Sequence, residues 1–540
     1  MPQTSQFPAP QQNPIPAAVT PSWAVGALGC AGYGARADDI ALVTQRGWPA
    51  WIEAQLAPRD ADDREVHERL SRLALRFRHG PGPKWPAVDE MRPLQWLDKP
   101  IEAAWPLIVQ RQDMDGAERR RPREEVTAAT ILRAVHSRWQ LREVLVSFWH
   151  DHFNVDAYSS DEVSVALPTY DRDVIRRHAL GNFRQFLEAV ATSTAMLYYL
   201  SNRSSRAGAA NENYGRELFE LHTLGRDAYL NDRYDRWRAV PGALKGAPVG
   251  YIDEDVYESA RAFTGWTVED GSAIDGQRKL PATGRFAYVE SWHDGYQKRV
   301  LAHDFKEFAA PMVDGRRVLD LVAEHPATAR FLCTKLCRRF IGDDPPQTVV
   351  AAAIRTWTAA HRANDQIAQT VRAILLSPEF AAAQGGKIRR PLALVAAFAR
   401  ATGLDVTPTE PLWNEIANAG QRLFGWPSPT GLPDEGEYFL SVNGMRRRWN
   451  LMWALSANAW GTGDWPVPAP LLAATTARAT AVHYLWALQG TANPATLAAV
   501  LGGFGWPPEQ PLGDPRTPEF RSRIARVAAL AAMAPEFQSA

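Results

Sequence analysis

Along most of the chain, apolar residues recur at three- and four-residue spacing, the pattern of helices with one buried face. Val66, Leu70, Leu73 and Leu75 predict helix over 60–77, and the pattern resumes over 92–110. Ile131, Leu132, Val135, Trp139, Leu145 and Phe148 predict one long helix over 127–153. Helices over 168–179 and 183–200 follow, the second strongly apolar. Beyond Arg317 the same spacing predicts helices at 318–324, 326–340, 348–360, 365–376 and 390–402, with Ser377-Pro378 and Arg390-Pro391 as breaks. Another is predicted at 445–457, with smaller helices to the end. Only 267–305 reads differently: Arg285-Phe286-Ala287-Tyr288-Val289 has strand character. The expected fold is therefore mainly α, with multi-helix domains and a small β-containing insertion around 267–305. A main helical domain over 23–340 and a C-terminal helical region over 341–540, packed on it, would form one unit.

Breaks in the pattern mark the rest. Residues 1–22 are rich in Pro, Gln, Ala and Ser and predict a disordered tail, without the basic start and apolar core of a secretory signal. The 226–251 connection, with Pro241, Gly242, Gly246, Pro248 and Gly250, predicts a lid or surface excursion. Residues 422–443 predict a Pro/Gly/aromatic loop. The run Glu118-Arg119-Arg120-Arg121-Pro122-Arg123-Glu124-Glu125 flanks its arginines with acids and predicts a solvated loop.

Composition changes this picture little. The chain has 540 residues with 60 basic and 60 acidic side chains, so no net field draws it to nucleic acid or an anionic membrane. No stretch of about 18 uncharged apolar residues predicts a membrane span. A cytoplasmic location is the default expectation, with export alongside a partner as the alternative. Cys333 and Cys337 share a helix face and read as core thiols, with Cys30 apart from them. The 20 tryptophans read first as core and interface anchors, and second as stacking platforms for a ligand.

The chemistry concentrates in Asn211-Glu212-Asn213-Tyr214-Gly215-Arg216-Glu217-Leu218-Phe219-Glu220-Leu221-His222-Thr223-Leu224-Gly225. Asn211 can cap the helix. Asn213, Glu217 and Glu220 then fall on one face, where two carboxylates repel unless a cation or shared proton intervenes. Arg216 can reach Glu212 or Glu220. His222 lies opposite Glu220 and joins it only if the helix ends or bends near Leu221. Two other segments bear histidine: His150-Asp151-His152, between Trp149 and Phe153, and His293-Asp294, after Trp292. Candidate metal ligands are therefore His150, His152, Glu217, Glu220, His222 and His293, a mixed set suited to zinc, manganese or iron. The wider polar centre adds Asn213, Arg216, Arg261 and Asp294, with Asp294 behind the ligands and an arginine for an anionic group. The competing reading is a buried network of ion pairs and caps. Walker, nucleophile-elbow, His-Glu-x-x-His and dinucleotide motifs are absent, and Glu217-x-x-Glu220 stands where a di-iron bundle would have Glu-x-x-His.

Taken in order, several motifs resemble a large bacterial family, domain of unknown function 1800. They are Phe148-Trp149-His150-Asp151-His152-Phe153, Arg177-His178-Ala179-Leu180-Gly181-Asn182-Phe183, and the whole of Asn211–Gly225. Asp255-Val256, Ala260-Arg261-Ala262-Phe263-Thr264-Gly265-Trp266, His293-Asp294 and His325-Pro326-Ala327-Thr328-Ala329-Arg330-Phe331 follow, then Gly420-Gln421-Arg422-Leu423-Phe424 with Pro427 to Pro433. The resemblance implies a largely helical protein without a settled activity. It also implies a partner, since members are often encoded beside a phosphatase/sulfatase-like protein of domain of unknown function 1501, and many look exported. This chain departs from the family in its missing export signal and in its longer 226–253 connection.

Three functions compete on the sequence. The first is a metal-dependent enzyme of hydrolase type, in which a metal-activated water attacks an ester or phosphoester. The second is a non-enzymatic scaffold or binding partner of the phosphatase/sulfatase-like protein, with the polar cluster structural. The third is a metal-dependent oxidoreductase.

Overall fold

The computed structural model describes residues 20–383, 385–461, 463, 465–472 and 475–540. Most of the expected tail lies outside these residues. Its last part does not: Thr20 accepts from the Trp23 backbone N–H (3.2 Å) and caps a helix over Pro21–Ala31. The protein is mainly α, and among the described residues the strands form three two-stranded antiparallel sheets. Two of these fill the expected insertion. Trp266–Asp270 pairs with Ala282–Tyr288, and Lys298–Val300 with His303–Phe305.

One hydrophobic cluster runs from Ala24 to Ala540. Pro21–Ala31 packs on Ala477–Gln489, and Gly116–His136 packs on Pro391–Thr402, so both parts of the chain enter this core.

Several elements differ from the pattern reading. The acid-flanked arginine run is not a solvated loop. It lies in the Gly116–His136 helix, which Asp115 caps (2.8 Å to Ala117 N). Glu125 is fully buried there. It pairs with Arg121 (2.9 Å) and accepts from the Gln95 and Trp96 backbones (2.8 Å each). The expected 60–77 helix stops at Arg72. Ala74–His79 is a strand paired with Val88–Pro93, burying Leu75 and Phe77 on one side. After that hairpin only single turns, Ile101–Ala104 and Pro106–Val109, form where 92–110 predicted a helix. The 127–153 helix is two helices, Gly116–His136 and Gln140–His152. Between them Ser137 donates to Asp63 (2.6 Å) and accepts from the Trp139 backbone (3.0 Å). Residues 183–200 also split, into Phe183–Ala191 and Thr194–Tyr199.

Two helices end in π turns. Asp161–Thr169 runs into a π turn at Tyr170–Arg176, and Glu212–Glu217 into one at Leu218–His222. The Pro/Gly/aromatic loop after Gln421 lies across the end of Gln140–His152. Asn154 Nδ2 donates to the carbonyls of Trp426 (2.9 Å) and Ser428 (2.8 Å), and Ala157 N–H donates to Phe424 (2.8 Å). Gly431 has φ +73°, and a Cβ there would overlap the Asp151 carbonyl oxygen, so the approach requires glycine.

Candidate functional site

The Gln140–His152 helix carries a polar row at helical spacing: Glu143, Ser147 and His150, continued by Asn154. This row lines a narrow cavity of about 40 Å³, closed by Tyr33, Arg176, Gln421, Phe424 and Trp426 among others. His150 donates from Nε2 to Asp171 Oδ1 (2.9 Å). Asp171 also accepts from Arg176 Nε (2.8 Å) and lies 3.5 Å from Arg133. Arg176 turns its other two nitrogens onto Glu143 (3.0 and 2.9 Å).

The π turn makes this possible. Residues five apart point in different directions on a regular α-helix, and the wider turn brings Asp171 and Arg176 onto one face. Burial alone would push the Asp171 carboxyl up, but Arg176, His150 and Arg133 outweigh it and hold it well below the usual range. Glu143 is likewise lowered, as Arg176 and Arg142 override burial. The carboxylates are thus ionised at neutral pH, and Asp171 fixes the His150 tautomer. His150 Nδ1 makes no hydrogen bond among the described residues. The ring, 8% exposed, borders the cavity with Phe424 edge-on at 4.8 Å.

The other predicted residues divide into separate groups. His222 does turn inward, because the π turn carries it there, but it meets His152 (ring centroids 6.3 Å) and not Glu220. His152 donates from Nε2 to the His222 carbonyl (3.1 Å), and Lys335 approaches its Nδ1 (3.4 Å). His222 is fully buried, and neither ring nitrogen has a partner among the described residues. The Tyr214 hydroxyl, whose ring lies 6.4 Å from that of His222, is buried and unpartnered as well. Burial and Lys335 push His222 down to about 3, and burial, Lys335 and His222 depress His152 well below its ordinary value, so both are neutral imidazoles.

Glu220 faces Arg226 (2.8 Å), and Glu217 is half-buried and raised by burial and by Glu220. Arg216 pairs with Asp253 (3.4 Å) and Glu212 (3.7 Å), and the exposed Asn213 reaches the Leu200 carbonyl (3.4 Å). His293 bonds the Thr264 carbonyl (3.0 Å) and nears Asp314 (3.3 Å). Asp294 and Glu258 both hold Arg261 (2.7 and 2.8 Å), so that arginine has no free fork for a ligand. The six candidate ligands therefore fall into separate groups, with only His152 and His222 side by side. Among the described residues, no group of three or more His, Cys, Asp or Glu side chains is arranged to hold a metal ion.

Sequence reasoning missed Glu143, Asp171, Arg176 and Tyr33. The i, i+4, i+7, i+11 row on one helix was the available signal for Glu143, but nothing local ties Asp171 to His150. It also missed His136, buried beside Glu65 (2.8 Å) in an open groove of about 540 Å³.

The family model described as "Protein of unknown function (DUF1800)" matches residues 27–539. The chain belongs to that family, whose description leaves the activity open. No curated protein and no solved structure matches it. Among the described residues, no helix is long and apolar enough to cross a membrane.

Proposed function

We propose that the protein is a hydrolase-type enzyme whose working centre is the His150 cavity, with His150 as general base toward an ester. One observation carries this reading: Asp171 holds His150 through Nε2, Nδ1 makes no hydrogen bond among the described residues, and the ring borders a narrow cavity. A water at Nδ1 would give up its proton there as it attacks the ester carbonyl. The resulting imidazolium would be balanced by Asp171, itself anchored by Arg176, and would return the proton to the alkoxide as the ester C–O bond breaks, releasing acid and alcohol. The test is a panel of chromogenic carboxyl esters and phosphoesters with the full chain. His150→Gln should lower turnover by about 100-fold or more with an unchanged melting temperature. No turnover by the parent chain, or equal turnover by the variant, sinks the reading.

A second reading retains a metal. Its support is His222, whose two unbonded, buried ring nitrogens lie beside His152. Neutral imidazoles are good ligands for zinc, manganese or iron, and two of them would need ligands from water or substrate to complete the set. Elemental analysis of protein purified without added metal decides it. A stoichiometric metal that persists in His150→Gln and is lost in His222→Phe supports this reading, and a metal-free, fully folded protein rejects it.

A further inference from the structure

Next to the His150 cavity lies another of about 40 Å³, which shares Tyr33, Ser147 and Gln421 with it. Its lining includes Arg339, Lys387, Arg389 and Arg390, and no Asp or Glu side chain. Two of these cations are balanced from outside the cavity: Lys387 by Asp343, and Arg390 by Asp151 and Asp434. The other two form no ion pair among the described residues. Arg389 is 7% exposed, donates to the Phe537 carbonyl and lies over the Phe537 ring (4.9 Å). Arg339, half-buried, reaches the Cys30 carbonyl at 3.5 Å and lies over the Phe340 ring (5.7 Å). A buried guanidinium without a counter-charge is costly, and its planar fork suits an oxyanion better than any neutral group.

The space is kept open by small residues. A Cβ on Gly29 would lie 2.7 Å from Arg389 Nη2, so a side chain there would press on the guanidinium. By the same measure of volume a water needs about 10–15 Å³, so the cavity has room for one tetrahedral oxyanion or about three waters. Ser147 stands one turn before His150 on the same helix and, like Tyr33, lines both cavities, so the two meet at a polar wall.

We propose that this cationic cavity binds the phosphoryl group of a small phosphorylated substrate, as an anchor, while the rest of the molecule extends past Tyr33 and Ser147 to His150. Arg389 and Arg339, which form no ion pair among the described residues, offer several N–H donors, and a phosphate monoester meets these with more acceptor oxygens than a carboxylate. The phosphoryl group is held and not cleaved: the bond that reacts is the one near His150. The placement of the substrate rests on the reading of His150 as base, and the anion site does not.

Titrating inorganic phosphate into the full chain by calorimetry at fixed ionic strength, with acetate as the control anion, tests the site. Saturable binding of one phosphate is expected, with acetate at least about tenfold weaker. Arg339→Gln should weaken phosphate by a similar factor, and Gly29→Val, which fills the cavity without removing a charge, should do the same. Melting curves on both variants establish that each is folded. No phosphate binding, or binding untouched by both folded variants, overturns the site. Phosphate binding that requires Arg339, together with ester hydrolysis unchanged in His150→Gln, keeps the anion site and removes the base. Hydrolysis lost in His150→Gln with no phosphate binding does the reverse.

Discussion

Two buried histidines illustrate how differently a neighbour can treat the same side chain. His150 has Asp171, which orders it, while His222 has no hydrogen-bond partner among the described residues and packs against Phe153, Tyr214 and His152. Replacing Asp171 by Asn leaves Arg176 partly uncompensated in the interior, so the variant should lose about 3 kcal/mol in urea unfolding. His222→Phe removes two unsatisfied buried nitrogens and should stay within about 1 kcal/mol of the parent. The pH dependence follows from the sign of the His222 shift. Below its ordinary value of 6.5 the unfolded chain takes up a proton that the folded chain refuses until about 3, so stability falls as pH drops through that window. Between pH 7 and pH 4.5 His222 should cost roughly 2 kcal/mol, and His222→Phe should lose that much less than the parent over the same interval. Equal losses in both proteins would contradict the burial assigned to this imidazole. His152 and Asp171 add to the acid sensitivity with the same sign, Asp171 only below its ordinary value of 3.8.

Periodicity served well for elements whose apolar face is continuous, such as Pro326–Phe340 and Pro391–Thr402, and for the β insertion. It failed where charge is buried in pairs. Arg121 and Glu125 look like surface residues in the sequence because their partners, the Arg92 carbonyl and the Gln95 and Trp96 N–H groups, come from a distant hairpin end. The site was legible in part. His150 could be named from the sequence, and the inward turn of His222 only as a condition, a helix ending or bending near Leu221, which the π turn meets. The role of Glu220 could not, because Arg226, six residues on, takes its carboxylate. The π turns follow from no propensity rule, yet each places a site residue. Deleting one residue within Leu218–His222 would restore α geometry and rotate His222 by about 100° away from His152. Such a deletion should keep the helix by circular dichroism and abolish the His152–His222 contact seen by imidazole NMR. Close packing is equally specific. A Cβ at Gly215 would lie 2.8 Å from Ser259 Oγ and 2.9 Å from the Val256 carbonyl oxygen, so Gly215→Ala should cost about 1–3 kcal/mol in a denaturation assay.

The whole chain is needed to build the centre. Arg390 holds Asp151, and the loop from Gln421 to Leu432 forms the far wall of the His150 cavity, so a chain ending at Phe340 lacks both. It also leaves the apolar faces that meet Pro391–Thr402 and Ala477–Gln489 uncovered. Such a fragment should show no cooperative thermal transition and should self-associate on size-exclusion chromatography, whereas the full chain should melt as one unit. The closure of that wall has a consequence for how the protein is made. Asn154 and the Trp426 carbonyl that it bonds are 272 residues apart. At ordinary ribosomal speeds, roughly 15–55 s separate the emergence of the His150 helix from that of its cover. For that interval His150, Asn154 and Val155 lie in a nascent chain without their far wall, and a cellular escort that shields half-built cavities has its natural target there.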